Sequence, residues 1–315
     1  MLGNIPLWLH NRPKPTVDYS FLGPRFDHDP ATGEPLGLLM ERQRANLVNY
    51  SGSPHPDVKA PWGDDNTGTY VTGIAAPDGS TDAIRATSTS ADLIIRQDAS
   101  GTAGTYSFSL WLKCPDASVG QMRIKVSNYG SWNNGATLVV DVTDEWQRFV
   151  VTGVTTNSGA RISIGGGSYL STGKTIDLWG AQLEKAAFAS SYIPTTSAAV
   201  TRPQDRLYGT GLAWINSAQG SALVDFTPVF GTASYPQPMT LSDGTGYNIL
   251  FNYINEPASK KLAFKAHAAG AFVFDFSKAD AIFTNDVRAK IALRYKSQNY
   301  GFTKDGLAPA TNSAS

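Results

Sequence analysis

The segment SNYGSWNNG (127–135) sets two aromatic rings, Tyr129 and Trp132, among the amides of Asn128, Asn133 and Asn134, with glycines at 130 and 135 to turn the chain. Flat rings cover the C–H faces of a sugar, and side-chain amides supply paired donors and acceptors for its hydroxyls. A polar ligand must recover from the protein the hydrogen bonds it gives up to water. These five residues are therefore a candidate carbohydrate contact, weighed against a bland role for Trp132 as a lid on a sheet edge. Trp111 is a second candidate. In TYSFSLWLK (105–113) the alternation puts Tyr106, Phe108, Leu110 and Leu112 on one face and Ser107, Ser109, Trp111 and Lys113 on the other. Trp111 thus stands among polar neighbours, as a contact residue or as one covered by another part of the assembly.

Other chemistry finds less material. Asp141, Asp144 and Glu145, and Asp275 and Asp280, could pair as catalytic carboxylates, but they occupy ordinary strand-end positions. There is no Gly-x-Ser-x-Gly elbow and no Walker loop, and GGG at 165–167 reads as a turn. The chain is accordingly read as a non-enzyme. The acidic loops RFDHDPATGE and PWGDDNTG are oxygen-rich but miss the EF-hand pattern, and the four histidines are scattered. Both loops are read as turns, with no metal and no cofactor expected. Cys114 is the single cysteine, so no internal disulfide can form, and it is read as a small buried hydrophobe.

These residues need a framework, and the sequence reads as β structure throughout. Between Leu47 and Thr201 nine short strand-like runs follow one another about ten residues apart, from TYVTGI to TIDLWGAQLE, as in a β-sandwich or jelly roll. Trp62, Trp146 and Trp179 are read as structural, with Trp179, Ala181 and Leu183 sharing one face of the last strand. Residues 1–46 hold Pro6, Pro13, Pro15, Pro24, Pro30 and Pro35 together with apolar anchors such as Trp8 and Phe21, which describes an extended arm that packs along something. From residue 203 about six further strands indicate a second sandwich, either abbreviated or completed at its edge by another chain.

With 26 basic and 26 acidic side chains the net charge is zero, so no global field steers the 315-residue chain to nucleic acid or an anionic membrane. The N-terminus lacks the pattern of a secretion signal, and no window reaches the roughly 20 apolar residues of a membrane span. Neither nucleic-acid binding nor membrane insertion is expected.

Several segments taken together carry a resemblance. RFDHDPATGEPLGLLMERQRANLVNYS resembles a module of bacteriophage tail proteins in which an Asp-Pro-x-Thr-Gly turn precedes a Leu-Leu-x-Glu-x-x-Arg-x-Asn-Leu strand. Trp62, APDGSTDAIRAT (76–87), DEWQRFVVTG (144–153) and DLWGAQLEKAAFASSYIPT (177–195) resemble the jelly roll that follows there, itself similar to carbohydrate-binding modules. GSALVDF and IALRYKSQNYGFTKDG are similar to a concanavalin-A-like or laminin-G-like sandwich.

The resemblance implies an all-β chain with an N-terminal arm (1–46), a jelly roll (47–202) and a lectin-like sandwich (203–315). It implies a tail-fibre or tail-tip component of the virion, assembled in the host cytoplasm. The arm would dock onto other tail proteins, the β domains would meet host-surface carbohydrate, and the chain would form a homo-oligomer, with a trimer favoured. A purely structural tail or capsid-decoration role is the alternative, and a polysaccharide depolymerase the less favoured one.

Overall fold

The computed structural model describes residues 26–28, 32–116, 119–205, 216, 218–228, 237–242, 249–255, 260–296 and 299–312. Among them there is no helix, so none is long and apolar enough to cross a membrane. The strands in chain order are β1 (Phe26–His28), β2 (Pro35–Leu38), β3 (Arg44–Asn46), β4 (Gly63–Asp65), β5 (Gly68–Ile74), β6 (Ala83–Ser88), β7 (Ile94–Ser100) and β8 (Gly104–Lys113). There follow β9 (Gln121–Asn128), β10 (Ala136–Asp141), β11 (Gln147–Thr155), β12 (Gly159–Gly165), β13 (Thr175–Glu184) and β14 (Val200–Arg202). The last eight are β15 (Gln219–Phe226), β16 (Thr240–Ser242), β17 (Ile249–Asn255), β18 (Lys261–Ala268), β19 (Ala271–Ile282), β20 (Ala289–Lys296), β21 (Asn299–Lys304) and β22 (Ala310–Asn312). The chain divides into two compact units, Met1–Leu207 and Tyr208–Ser315.

The first unit is a jelly-roll sandwich of two five-stranded antiparallel sheets, β10-β9-β12-β7-β4 and β11-β8-β13-β6-β5. The chain shuttles between them, so each sheet is stitched from strands distant in sequence. All nine runs anticipated from the alternation are β5 to β13. Tyr106, Phe108, Leu110 and Leu112 are fully buried and meet Met122, Ile124 and Val126 of the other sheet in a single core. Filling the space between two such sheets is the main favourable contribution to this fold, at roughly 25 cal/mol per Å² of apolar surface removed from water. Cys114 sits in that core, fully buried.

Two expectations are corrected here. Trp179, Ala181 and Leu183 do not share a face. A register shift between Trp179 and Gln182, with Gly180 at φ +66°, breaks the alternation of β13. Ala181 and Leu183 point into the inter-sheet core, whereas Trp179 packs outside it in a satellite cluster with Ala76 and Ala83. The second unit is also fuller than six strands. It forms two four-stranded sheets, β15-β20-β21-β22 and β16-β17-β18-β19, around Phe264, Phe283, Ile291 and Phe302. Ala310–Asn312 extends the first of these sheets by pairing with β21.

Of the arm, residues 1–25 lie outside the described residues. The hairpin β1–β2 follows them, and β3 pairs with β14, tying residues 44–46 to 200–202.

Candidate functional site

The two outward faces of the jelly roll differ in what covers them. On the β8–β13 side, the alternation that buries Leu112, Leu178 and Ile84 turns Lys113, Asp177 and Arg85 outward, in register on three adjacent strands. The buried Asp177 carboxylate accepts two hydrogen bonds from Arg85, at 2.7 and 3.0 Å. This bidentate bond, which outweighs desolvation, raises the Arg85 pKa further and fixes the guanidinium as a cation.

The Arg85–Asp177–Lys113 row floors a cleft of about 560 Å³ whose walls include Ile74, Asp144 and Glu145. Trp146 donates its indole N–H to the Ala75 carbonyl at 3.2 Å and so ties the Asp144–Glu145 turn to the end of β5. Asp144 and Glu145 are exposed. The cleft thus combines an Arg85 guanidinium held by the sheet and the Lys113 ammonium with the exposed carboxylates of the β10–β11 turn. That inventory suits hydrogen bonding to a polyhydroxylated ligand.

Trp111 lies on this same face, half-buried. Its ring meets Trp179 edge-on at 5.0 Å and Tyr192 at 5.6 Å, and the Arg148 guanidinium lies over it at 4.7 Å. Its cover therefore comes from within the first unit. Gly180 makes the packing feasible, since a Cβ there would sit 2.6 Å from the Trp111 ring. Over Gln182 and Glu184 this face is closed by residues 186–195. Gln182 and Glu184, both fully buried, bond Ile193 N and Ser190 N at 2.6 and 2.7 Å. Asn46 uses all four of its amide bonding positions in the same layer, on Ala181 O, Ile193 O, Val48 N and Leu183 N.

The SNYGSWNNG loop is the β9–β10 hairpin, which belongs to the opposite sheet, so the loop and Trp111 are not one site. Its residues have distinct tasks. Asn128 is buried and brackets Thr156, donating to its hydroxyl at 3.0 Å and accepting from its N–H at 2.9 Å. Asn134, at φ +60°, also donates to the Thr156 hydroxyl. Asn133 is exposed, and Tyr129 is 39% exposed. Trp132 is half-buried under the Arg161 guanidinium, 4.7 Å from its ring centroid. Arg161 in turn forms a two-point pair with Asp98 at 2.9 and 2.8 Å, and Asp98 also accepts from Gly130 N at 2.9 Å. Burial opposes ionisation of Asp98, but the Arg161 and Gly130 hydrogen bonds outweigh it and hold its carboxyl below the usual range.

No group of three or more metal-ligating side chains occurs among the described residues. In the PWGDDNTG turn, Asp64 accepts from the Tyr70 hydroxyl at 2.7 Å and Asp65 pairs with Arg96 at 2.9 Å. Of the other candidate carboxylates, Asp141 accepts from Gln121 at 3.0 Å and Asp275 pairs with Lys265 at 3.1 Å.

No family model and no curated protein sequence matches the chain. Solved structures do resemble it. An arabinose-bound GH51 α-L-arabinofuranosidase matches with TM-score 0.36 and 12% identity over 44% of this chain and 26% of its own. The enzymatically active domain of bacteriophage CBA120 tailspike protein 4 matches with TM-score 0.34 and 10% identity over 44% of this chain and 21% of its own. TmCBM61 in complex with β-1,4-galactotriose matches with TM-score 0.34 and 19% identity over 44% of this chain and 97% of its own. This chain thus spans about a quarter of the first protein and about a fifth of the second.

The cleft is not legible in the sequence. Arg85, Lys113 and Asp177 are each visible as outward positions of their strands, but only sheet order makes them neighbours.

Proposed function

We propose that the chain is a non-catalytic carbohydrate-binding component of a phage virion, a tail-fibre or tail-tip protein whose jelly roll holds host-surface glycan. The observation that carries the binding half is the cleft over Arg85, Asp177 and Lys113, where Asp177 holds the Arg85 guanidinium in place before any ligand arrives. Preorganised polar groups lower the ordering cost of binding, so a shallow site can still select a sugar. The tail assignment is supported by the four-motif resemblance over residues 24 to 202. Oligomeric presentation would add avidity to weak individual sites.

Titration of the full chain with neutral oligosaccharides tests the cleft. Lys113→Ala and Asp144→Ala are each expected to weaken binding about tenfold, a loss of about 1.4 kcal/mol, while leaving the melting temperature unchanged. Unaltered affinity in both variants overturns the cleft assignment. Competition of phage adsorption by the purified protein tests the virion role, and product analysis after incubation with host polysaccharide tests the non-enzymatic reading, for which no released oligosaccharide is expected.

A further inference from the structure

The β9–β12–β7 face carries cations that the neutral-sugar reading leaves unused. Strand alternation turns Arg123 and Lys125 of β9, Arg161 and Ser163 of β12, and Arg96 of β7 away from the core. The register sets Lys125 directly opposite Ser163, and Ser163 directly opposite Arg96. Directly opposed side chains on neighbouring strands have Cβ atoms about 5 Å apart, so two cations flank one hydroxyl.

Asp65 and Asp98 pair with Arg96 and Arg161. Arg123 and Lys125 have neutral partners instead, the carbonyls of Gly165 at 2.9 Å and Trp132 at 2.6 Å. Burial, and then the neighbouring Arg123 charge, push the Lys125 ammonium below its ordinary value. Crowded like charges on one sheet face are unfavourable and are relieved by an anion.

The Ser163 side chain gives an independent sign. It is 1% exposed, and its hydroxyl has no hydrogen-bond partner. A buried unsatisfied hydroxyl is costly, and an oxygen acceptor lodged between Lys125 and Arg96 would satisfy it. The Lys125 bond to the Trp132 carbonyl holds the hairpin tip at the end of this row, bringing an aromatic ring beside the charges.

We propose that the outward face of β9, β12 and β7 is a second ligand site, which takes the anionic substituent of an acidic sugar between Lys125 and Arg96, over the Ser163 hydroxyl. The choice of a sugar rests on the glycan reading above; the anion site itself does not.

The test uses the full chain and three probes in calorimetric titrations: trigalacturonate, galactose 6-phosphate and neutral β-1,4-galactotriose. At least one acidic probe is expected to bind, less tightly as salt rises, and the tighter of the two identifies carboxylate or phosphate as the preferred substituent. Lys125→Met, which keeps the stem, is expected to weaken that probe about tenfold, and Ser163→Ala about threefold. Absence of binding by both acidic probes, or an affinity in Lys125→Met and Ser163→Ala equal to that of the unaltered chain, overturns the proposal. Failure of galactotriose alone counts against the cleft and not against this face. If Lys125→Met does not fold, Ser163→Ala carries the decision.

Discussion

The two outward faces of the jelly roll start from the same alternation and end in different states. On the β8–β13 face, Gln182 and Glu184 point away from the core yet are fully buried, because residues 186–195 and Asn46 form a third layer over them. Buried polar groups are costly unless paired, and the side chains of Asn46, Gln182 and Glu184 are matched within the chain, although the Trp179 Nε1 and Arg148 Nε donors of this face have no hydrogen-bond partner. On the β9–β12 face the cover is the β9–β10 hairpin tip, where Trp132 stacks with Arg161 and its carbonyl accepts from Lys125, and beneath these side chains the Ser163 hydroxyl is left without a hydrogen-bond partner. Outward therefore does not mean functional. The part of the outer face covered by residues 186–195 is a second core made largely of hydrogen bonds, and the two proposed ligand sites lie outside it, at the Arg85–Lys113 cleft and on the cationic rows.

This contrast can be broken most severely at Asn46. Asn46→Ala removes four hydrogen bonds from a fully buried layer and is expected to cost about 4 kcal/mol in denaturant unfolding, through the unsatisfied groups left behind. A cost below about 1 kcal/mol would mean the layer is not the second core described above.

A pair of glycines sharpens it. Gly180 and Gly130 have nearly equal φ, +66° and +64°, but an added Cβ meets the Trp111 ring at 2.6 Å in the first and open space in the second. Gly180→Ala should lose about 3 kcal/mol, combining backbone strain with overpacking, and Gly130→Ala only about 1 kcal/mol from strain alone. Equal losses in thermal melts would show that cover contributes nothing at Gly180.

Between these two falls Asp98→Asn, expected to cost about 1.5 kcal/mol near neutrality by removing the Arg161 pair that anchors the hairpin. Its pH dependence has a defined sign. The folded pKa of Asp98 lies below its unfolded value of 3.8, so its contribution is complete above that value. As pH falls further the unfolded chain takes the proton first, and the contribution is lost through the folded value. Asp98→Asn should flatten that part of the acid unfolding curve, and an unchanged curve would show that the pair is not formed in solution.

Much of the fold was legible because strand alternation is a local signal. The nine runs of the first unit could be read without knowing their partners, and the burial of Tyr106, Phe108, Leu110 and Leu112 followed from period two alone. β4 was not legible. Gly63, Asp64 and Asp65 read as a turn, and become a strand because β7 offers them an edge and Arg96 pairs with Asp65. The face of Trp179 was misread because a bulge at a glycine inserts an extra residue that no apolar pattern announces. The Tyr129–Trp132 loop was legible as a composition, though only the fold separates the structural Asn128 from the exposed Tyr129 and Asn133.

By itself, then, the sequence determined the β character, the nine strands of the sandwich and which side chains leave its core, since these depend on local periodicity and on turn residues. Tertiary structure decided which outward side chains become neighbours and which are covered again. Arg85 meets Asp177, and Lys125 and Arg96 flank Ser163, through register between strands far apart in the chain. A single strand encodes its faces, but neighbours across a sheet are set by the pairing of whole strands, and cover is set by where the remaining chain comes to rest.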